Sequence, residues 1–431
     1  MPTFFLIWFG QMVSTIGSYM TVFALTIWIW QLTHSATALT LVGFFAQVPR
    51  IFVTPLAGII VDRVNRKYLM ILGDLVAGIC TIAIALLHIT GNLQIWHLYL
   101  AVVIYGGFGQ LQSLAYSTSI AVMVPKKNYT RAESLVAAVN YGSAIISPAL
   151  AGRLYPTIGL QGIILIDLIT FTVALTTLFF AKIPQPTLTE TSPSETVTQK
   201  LTFGLRYIFA KPNLVAMVIA FSLFAMASDM GKALYSPMIL ARSGGSSEVL
   251  GNVTAAAGIG GVLGGILLSI WGGFPRRIHG MLVGFMGAGC FKAVLGLGQT
   301  PFVWMGGHFF ASLNIPLFYS SSNAIWYSKV PPAVQGRVLG ADQTIGLIIA
   351  SGATLIAGPL ADNIFEPAMQ PNGQLASFFG WLFGSESGSG IALLYTITAI
   401  WMFLVGLGGY GFRTLREVET SLPDHDKSLV E

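Results

Sequence analysis

Charged side chains are scarce in this chain. Lys, Arg, Asp and Glu together make up 9% of the 431 residues, whereas soluble domains carry about 25%. The composition therefore excludes an ordinary soluble domain. Cysteine is also nearly absent. Cys80 and Cys290 both lie inside apolar runs with no partner spacing, so neither a disulfide framework nor a metal site is indicated.

Sequence motifs of enzymes and nucleotide-binding proteins are missing as well. The chain contains no P-loop pattern, no His-Glu metal motif and no serine nucleophile elbow. An intramembrane enzyme needs a cluster of nucleophile, base or metal ligands, so we predict neither an enzyme nor a cofactor. The glycines between Gly251 and Gly265 follow no strand, which favours close helix packing over dinucleotide binding.

Long apolar runs are what the chain has instead. Runs of about 20 residues recur throughout, each long enough to cross a hydrocarbon layer of roughly 30 Å as a helix. We predict an all-α membrane protein with twelve transmembrane helices in two six-helix pseudo-repeats. The predicted spans lie near residues 4–31, 38–61, 68–90, 94–124, 131–156, 160–181, 213–241, 248–271, 278–299, 301–328, 336–361 and 390–412.

These spans define four regions. Residues 1–181 form an N-terminal six-helix bundle, and residues 213–413 form a C-terminal six-helix bundle. Residues 182–212 are rich in Pro, Thr, Ser and Glu, which predicts a cytoplasmic linker that ends in a short amphipathic helix. Residues 414–431 form a cytoplasmic tail.

The distribution of Lys and Arg predicts the orientation in the membrane. With a cytoplasmic N-terminus, the outer loops hold only Arg242, with Arg153 at a helix end. This bias predicts that both termini are cytoplasmic. Seventeen of the 22 basic residues then lie in cytoplasmic loops, linker and tail: Arg63, Arg66, Lys67, Lys126, Lys127, Arg131, Lys182, Lys200, Arg206, Lys211, Arg276, Arg277, Lys329, Arg337, Arg413, Arg416 and Lys427.

The loop between the second and third spans carries an unusual concentration of charge, with Asp62, Arg63, Arg66 and Lys67 close together after Gly58. This pattern resembles the signature loop of the major facilitator superfamily, whose members are transporters with two six-helix halves and a substrate site between them. Asn65 stands where the family has glycine, and asparagine also tolerates a left-handed backbone. The residues that fit the family pattern are Gly58, Asp62, Arg63, Arg66 and Lys67.

The resemblance implies that this loop is a cytoplasmic gate. In such a gate, Asp62 faces the N-terminal end of the eleventh span near Arg337, where the helix dipole favours a carboxylate. Asp74 and Asp342 lie about two turns into their spans from the cytoplasmic side. We expect both to pair with loop arginines as further gate elements.

The fifth span resembles the motif that marks antiporters within this superfamily. Gly142, Pro148 and Gly152 match that motif, while Ser147 and Ala151 stand at two positions where glycine is usual. Small residues let helices approach closely, and the proline bends its helix. Ordinary close packing explains the same residues, so the motif favours export over uptake without deciding it.

Two further segments resemble the drug:proton antiporter group that includes macrolide-efflux and enterobactin-export permeases. They are residues 8–11 with Ser14, Gly17 and Ser18 in the first span, and Gly336–Val338 leading to Gly358–Asp362 in the eleventh. This resemblance covers nearly the whole chain. It implies a multi-pass protein of the bacterial plasma membrane that exports its substrate from the cytoplasm, driven by the proton gradient.

Charged residues inside a membrane are costly and are therefore candidates for function. Asp229 and Lys232 share one face of the seventh span. We predict that Asp229 takes a proton from outside, with Lys232 tuning its pKa or meeting an anionic substrate; a static ion pair is the alternative. Arg50 lies in the middle of the second span and either lines a cavity or pairs with an acid. Asp167 and Lys292 are expected to be structural.

Polar and aromatic residues form stripes at helical spacing on several spans. Stripes with few charges suit an amphiphilic solute better than a sugar or a multiply charged ion. Hydrogen bonding between helices is the alternative explanation. The predicted cavity-lining residues are Gln11, Ser18, Gln47, Gln112, Tyr116, Asn140, Asn314 and Phe318.

The sequence thus predicts a monomeric secondary transporter that exports amphiphilic small molecules by alternating access and proton antiport, with no nucleic-acid partner. A lipid flippase, or a dedicated exporter of one endogenous metabolite or siderophore, is the alternative on the same fold. A receptor or assembly factor that kept the fold without transport stays open as a third class.

Overall fold

A computed structural model of the protein describes residues 2–125, 128–181, 183, 197–421 and 424. Within these ranges the regular elements are all helical. The physical reason is that a bilayer offers no water to peptide groups, so an apolar run must close its backbone hydrogen bonds within itself. The chain divides into two compact units, Met1–Ser194 with Gly245–Ala255, and Glu195–Gly244 with Ala256–Glu431.

The first unit is built from five helices and the first turns of α8 (Ser247–Trp271). Helix α1 packs along α5, α2 packs along α4, and α3 packs against both α4 and α5. One end of the unit is closed by a hydrophobic core that includes Phe4, Ile7, Met70 and Leu178, all fully buried. The five helices are α1 (Pro2–Thr33), α2 (Ala36–Arg63), α3 (Arg66–Ile89), α4 (Ile95–Met123) and α5 (Tyr129–Phe180).

The second unit contains the remaining helices and a short π-helical segment, Ala361–Phe365, after α12. Helix α15 packs against α9 and α7, and α12 packs against α7 and α6. The helices are α6 (Val197–Phe209), α7 (Pro212–Arg242), α8 from Ala256 onward, α9 (Arg277–Leu297), α10 (Pro301–Leu313), α11 (Ile315–Lys329), α12 (Pro332–Leu360), α13 (Glu366–Met369), α14 (Ala376–Phe383), α15 (Ser389–Gly409), α16 (Arg413–Arg416) and α17 (Val418–Ser421).

Helix α5 carries two of the predicted spans. It is 52 residues long, which corresponds to about 78 Å at 1.5 Å per residue, more than twice the hydrocarbon thickness. Gly159 interrupts it with φ of 63° and ψ of −170°. Glycine has no Cβ and adopts this backbone conformation without a clash. The chain therefore kinks at Gly159, although α5 is continuous on both sides of it.

The tenth predicted span is divided instead. Asn314 separates α10 from α11, and Pro316 lies in the first turn of α11, where its missing N–H breaks the ladder. In the described ranges, ten helices are long and apolar enough to cross a membrane. That number treats α5 as one helix and leaves out both α10 and α11, which are each 13 to 15 residues long. Twelve spans follow when α5 is divided and α10 is joined to α11.

The start of the predicted tail packs into the second unit. Leu415 and Val418 belong to its hydrophobic core. The Lys329 Nζ at the end of α11 donates to the Glu419 carbonyl at 2.6 Å and to Asp424 Oδ1 at 2.9 Å. The Glu419 carboxylate in turn accepts the backbone N–H of Ile278 at 2.9 Å. These contacts attach the tail to the ends of α9 and α11.

Candidate functional site

A polar cavity of about 300 Å³ lies inside the first unit. Helices α1 to α5 all contribute to its wall, so its position depends on the packing of the whole unit. Its lining includes two carboxylates, one guanidinium and two primary amides. The six lining side chains on which the chemistry depends are Gln11, Ser18, Arg50, Asp74, Gln112 and Asp167.

Asp74 of α3 is buried in this wall, with only 5% of its surface exposed. The Gln11 Nε2 donates to Asp74 Oδ2 at 3.2 Å, and the Gln112 Nε2 donates to Asp74 Oδ1. The amides satisfy the carboxylate oxygens without supplying a positive charge. The predicted pairing of Asp74 with a loop arginine is therefore wrong. Asp74 contacts these glutamines instead, because its side chain on α3 faces α1 and α4.

Asp167 of α5 is the second buried carboxylate of the cavity, with 4% of its surface exposed. The Ser18 Oγ donates to Asp167 Oδ1 at 3.2 Å. Gly17 permits this approach, since a Cβ there would lie 3.0 Å from Asp167 Oδ1 and 3.1 Å from its Cα. Asp167, expected to be structural, therefore lines the same cavity as Asp74.

Arg50 of α2 is the one permanently charged cation among the described lining residues. When both aspartates are ionised, the three charged groups leave an excess of one negative charge. A single proton on either carboxylate removes that excess. The cavity can therefore change its net charge between negative and neutral by exchanging one proton, as a proton carrier must at membrane depth.

Asp229 and Lys232 of α7 form an ion pair in the second unit. The Lys232 Nζ lies 3.4 Å from Asp229 Oδ1, and their side chains are 77% and 21% exposed, respectively. Lys292 of α9 donates to Ser228 Oγ, beside Asp229, at 3.3 Å. Asp229 thus has a cationic partner within reach, in contrast to Asp74 and its two amides.

The charged loop after α2 is tied to the C-terminal parts of α4 and α5 in the first unit. The Arg66 Nη1 donates to the Thr118 carbonyl at 2.9 Å. The Lys67 Nζ donates to the Phe179 carbonyl at 2.8 Å and the Ala181 carbonyl at 2.7 Å. Arg63 is exposed. The predicted contacts of Gly58 and Asp62 lie outside the described residues.

Asn65 has a different role from the one expected. Its φ of −58° is not left-handed. Its side chain accepts the Lys67 N–H at 3.0 Å and caps the N-terminus of α3. Asparagine is among the best residues at this position because its oxygen satisfies a free helix N–H. The departure from the family glycine therefore starts a helix here.

The remaining predicted gate residues lie on α12 of the second unit. The Arg337 guanidinium lies 4.8 Å from the ring centroid of Phe203 on α6, a cation–π contact between the linker helix and α12. Asp342 is partly buried one and a half turns further along α12. The predicted pairing of Asp62 near Arg337 stays a prediction.

The antiporter-like motif of α5 is a place of close helix contact. The Ser147 Oγ donates to the Ile16 carbonyl of α1 at 3.0 Å. The Ser247 Oγ at the start of α8 donates to the Gly152 carbonyl at 2.9 Å. A Cβ on Gly152 would lie 2.6 Å from the Ser247 carbonyl oxygen, so only glycine fits. Pro148 is buried, whereas Gly142 has open space around it.

The predicted lining residues are distributed unevenly. Gln11, Ser18 and Gln112 line the first-unit cavity. Gln47 is half-buried on α2, Tyr116 packs against the first-unit core and Asn140 is exposed on α5. Asn314 donates to the Phe310 carbonyl at 2.8 Å at the break between α10 and α11, and Phe318 is buried in the second-unit core. The aromatic ring of Phe318 makes a T-shaped contact with Phe224 and a tilted contact with Phe285.

Sequence reasoning did not assign Asp167 and Lys292 to the site. The signal that would have found them is the charge itself, because each lies in an apolar run. Their assignment to peripheral helices followed from the family plan and gave no weight to the direction in which each side chain points. The structure turns both toward other charged or polar groups.

The sequence as a whole identifies the family. The sequence model of the Major Facilitator Superfamily matches residues 7–354. The chain belongs to this superfamily. The predicted fold, an all-α membrane protein of twelve helices in two six-helix pseudo-repeats, is confirmed. As a member of this superfamily, the protein is a membrane transporter of small molecules.

Relatives and solved structures agree with this assignment. The chain is 23% identical over 363 residues to macrolide efflux protein A of Streptococcus pyogenes, covering 84% of this chain and 90% of that protein. It is 24% identical over 371 residues to the enterobactin exporter EntS of Escherichia coli O1:K1 / APEC, covering 83% and 85%. The crystal structure of a bacterial homologue of the human lysosomal transporter Spinster, inward-facing and unoccupied, matches with a TM-score of 0.73 at 15% identity and covers 98% of each chain. That likeness shows the fold alone.

Proposed function

We propose that this superfamily member exports amphiphilic small molecules across the bacterial plasma membrane by alternating access, coupled to inward movement of protons. The observation that carries the proposal is the pair of buried carboxylates, Asp74 and Asp167, in one polar cavity. The activities of the relatives, macrolide efflux and enterobactin export, support the outward direction and the amphiphilic class of solute.

The environment of the two carboxylates supports a proton-carrying role. Asp74 is faced by Gln11 from α1 and Gln112 from α4, and Asp167 by Ser18 from α1. Arg50 from α2 and Tyr105 from α4 line the same space. A carboxylate without a bound cation gains a proton more readily than one locked in an ion pair, because the cation favours the charged form.

The transport cycle then takes the following form. A proton from outside neutralises the cavity, and the protein passes to the state open to the cytoplasm. The proton leaves inward as solute binds, and the loaded protein opens outward. The coupling role shifts in this proposal from Asp229 to Asp74 and Asp167. Lys232 remains a candidate for contact with an anionic solute, and Arg50 lines the cavity. The gate residues, the cytoplasmic termini and the monomeric state remain predictions.

One observation favours the alternative of a lipid flippase. An apolar cavity of about 460 Å³ lies in the second unit among α6, α7 and α12. It extends from Val215 to Met226 along α7, about 16 Å at 1.5 Å per residue, which is comparable to an acyl chain. Ser222 is the single polar residue among its described lining side chains. Such a cavity suits a hydrocarbon tail.

Transport by purified protein in proteoliposomes tests the two functions. The liposomes carry an imposed pH gradient, acidic in the lumen, and are offered a panel of lipophilic dyes and macrolides. The proposal predicts accumulation in excess of that in protein-free liposomes, which trap basic solutes in an acidic lumen by pH partition alone. A protonophore that dissipates the gradient should abolish this excess. A parallel set contains fluorescent phosphatidylethanolamine, whose flipping is read by dithionite quenching. Lipid flipping with no gradient-driven accumulation of any dye or drug would replace export by the flippase.

A further inference from the structure

A group of charged residues in the second unit carries more positive than negative charge. Asp229 and Lys232 lie on α7, with the Lys232 Nζ 3.4 Å from Asp229 Oδ1. The Lys292 Nζ of α9 donates a hydrogen bond at 3.3 Å to the Oγ of Ser228, which precedes Asp229 on α7. Lys292 is also close enough to Asp229 and Lys232 for its charge to interact with both of theirs. One carboxylate cannot compensate two ammonium groups.

This excess charge lies at membrane depth. Lys292 is 15 residues from the start of α9 at Arg277, about 22 Å along the helix, so it falls inside a hydrocarbon layer of roughly 30 Å. An uncompensated ammonium group there needs an anion or a water-filled space. Lys232 is 77% exposed, which shows that its amine is open to a ligand and not sealed in the pair.

An aromatic surface adjoins the Asp229–Lys232 pair. Tyr319 of α11 lies in the electrostatic range of Lys232 and Asp229 and is half-exposed. Its ring lies 5.7 Å from that of Phe221 on α7, centroid to centroid. The ring of Phe221 in turn lies 5.7 Å from that of the buried Phe285. A cationic group therefore borders a continuous aromatic cluster, an arrangement that fits one charged end and one apolar body.

We propose that Lys232 and Lys292 form a subsite for the carboxylate of an amphiphilic organic acid, whose apolar part lies on Tyr319 and Phe221. This inference rests on the proposed function and narrows its substrate class to amphiphilic acids. A bare inorganic anion would make no use of the aromatic surface. Ser228 positions the Lys292 amine, and Asp229 limits the net charge to one, so that a monoanion completes the site.

Binding of two matched probes tests the subsite. Purified protein in phosphatidylcholine nanodiscs is titrated with dansylaminoundecanoic acid and, separately, with its primary amide, with empty nanodiscs as blank. Wild-type protein should bind the acid more tightly than the amide. Lys292→Gln keeps the Asp229–Lys232 pair and a hydrogen-bond donor but removes the excess charge. It should weaken acid binding by roughly tenfold, as expected for one charge-assisted hydrogen bond, and leave amide binding unchanged.

Further variants separate recognition of charge from loss of structure. Lys292→Arg should restore most of the preference for the acid, and Arg153→Gln, at an exposed position of α5 in the first unit, should leave both affinities at the wild-type value. Equal affinity of wild-type protein for acid and amide, or no measurable acid binding, would overturn the proposal. An equal loss of both probes in Lys292→Gln would do so as well, since it would indicate a structural role.

The result is independent of proton coupling. The titration uses no gradient, so an acid preference that depends on Lys292 supports the subsite whether or not transport is proton-driven. Gradient-independent transport in proteoliposomes would contradict the coupling and leave the subsite standing. Gradient-driven transport with no acid preference would contradict the subsite alone.

Discussion

At the residue scale, the partners of a charge decide what it can do. Asp74 and Asp167 accept hydrogen bonds from amide and hydroxyl groups and share a cavity with Arg50. Asp229 has a lysine within 3.4 Å. The first two carboxylates can therefore gain a proton without breaking an ion pair. Protonation of Asp229, in contrast, removes its electrostatic attraction to Lys232.

Arg242 shows why a basic residue occupies the predicted outer side of the protein. Its Nη1 donates to the carbonyls of Gly296 and Gly298 at 3.0 and 2.9 Å, and its Nη2 donates to the Phe383 carbonyl at 3.1 Å. One planar guanidinium thus joins the end of α9 to the end of α14. A lysine has the same charge but lacks the fixed fork.

Arg242→Lys should therefore destabilise the protein although it conserves charge. Loss of the forked contacts removes charge-assisted hydrogen bonds, and the apparent melting temperature in detergent should fall by roughly 5 °C. Arg153→Lys is the matched control, because Arg153 is an exposed residue of α5. Thermal unfolding followed by tryptophan fluorescence measures both. Equal melting temperatures for the two variants would show that the fork is unimportant.

At the scale of elements, glycine decides where helices meet. Gly152 of α5 faces the start of α8, where a Cβ on Gly152 would lie 2.6 Å from the Ser247 carbonyl oxygen. Gly251 of α8 makes the reciprocal approach, because a Cβ on Gly251 would lie 2.6 Å from the Pro148 carbonyl oxygen of α5. The hydrogen bond from Ser247 to the Gly152 carbonyl closes the contact. Two glycines are thus paired across the antiporter-like motif, while Gly142 of the same motif has open space.

Gly152→Val should displace the start of α8 from α5 and reduce transport at least tenfold, since its side chain would overlap the Ser247 backbone. Gly142→Val introduces the same residue into the same helix without a clash and should keep most of the activity. Initial rates in proteoliposomes, normalised to reconstituted protein, give the comparison. If both variants lost activity to the same extent, helix propensity and not the contact would be responsible.

The elements that sequence predicted well are those fixed by hydropathy alone. The apolar runs give eleven of the twelve spans as continuous helix. The break at Asn314 and the π-helical turn at Ala361–Phe365 depend on how neighbouring helices pack, which hydropathy does not record. Likewise, hydropathy predicts two separate spans around Gly159, whereas the backbone geometry there lets α5 continue as one kinked helix.

The candidate site was only partly predictable for a related reason. Spacing along a helix predicted that Gln11 and Ser18 share a face, and both line the cavity. Helical spacing did not predict that Asp74 and Asp167, which are 93 positions apart in the sequence, line the same cavity. Convergence depends on the rotation and order of α1, α3 and α5, which local patterns do not fix. Family analogy pointed away from Asp167 because it weighed helix position alone.

At the scale of the whole molecule, the orientation in the membrane is a prediction from the distribution of basic residues. These residues predict a cytoplasmic position for the loop at Arg63 and for the tail after Arg413. The acidic loop around Glu386 then lies outside. The exposed residues Ser385 and Thr414 flank the two predicted faces of the second unit and suit labelling.

Cysteine accessibility measures this orientation. In a background with Cys80→Ser and Cys290→Ser, Ser385→Cys should react with a membrane-impermeant maleimide in intact cells. Thr414→Cys should react only after the membrane is permeabilised. The opposite pattern would contradict the predicted topology.

The central claim is that Asp74 and Asp167 carry the transported proton. The most direct measurement compares Asp74→Asn, Asp167→Asn and Asp229→Asn in proteoliposomes, scoring gradient-driven accumulation and solute exchange without a gradient. Asparagine keeps the shape of aspartate and resembles its protonated form, with one acceptor and one donor, but it cannot exchange a proton. The account predicts that both first-unit variants retain exchange and lose accumulation, while Asp229→Asn still accumulates solute. Full accumulation by both first-unit variants, with its loss in Asp229→Asn, would contradict it.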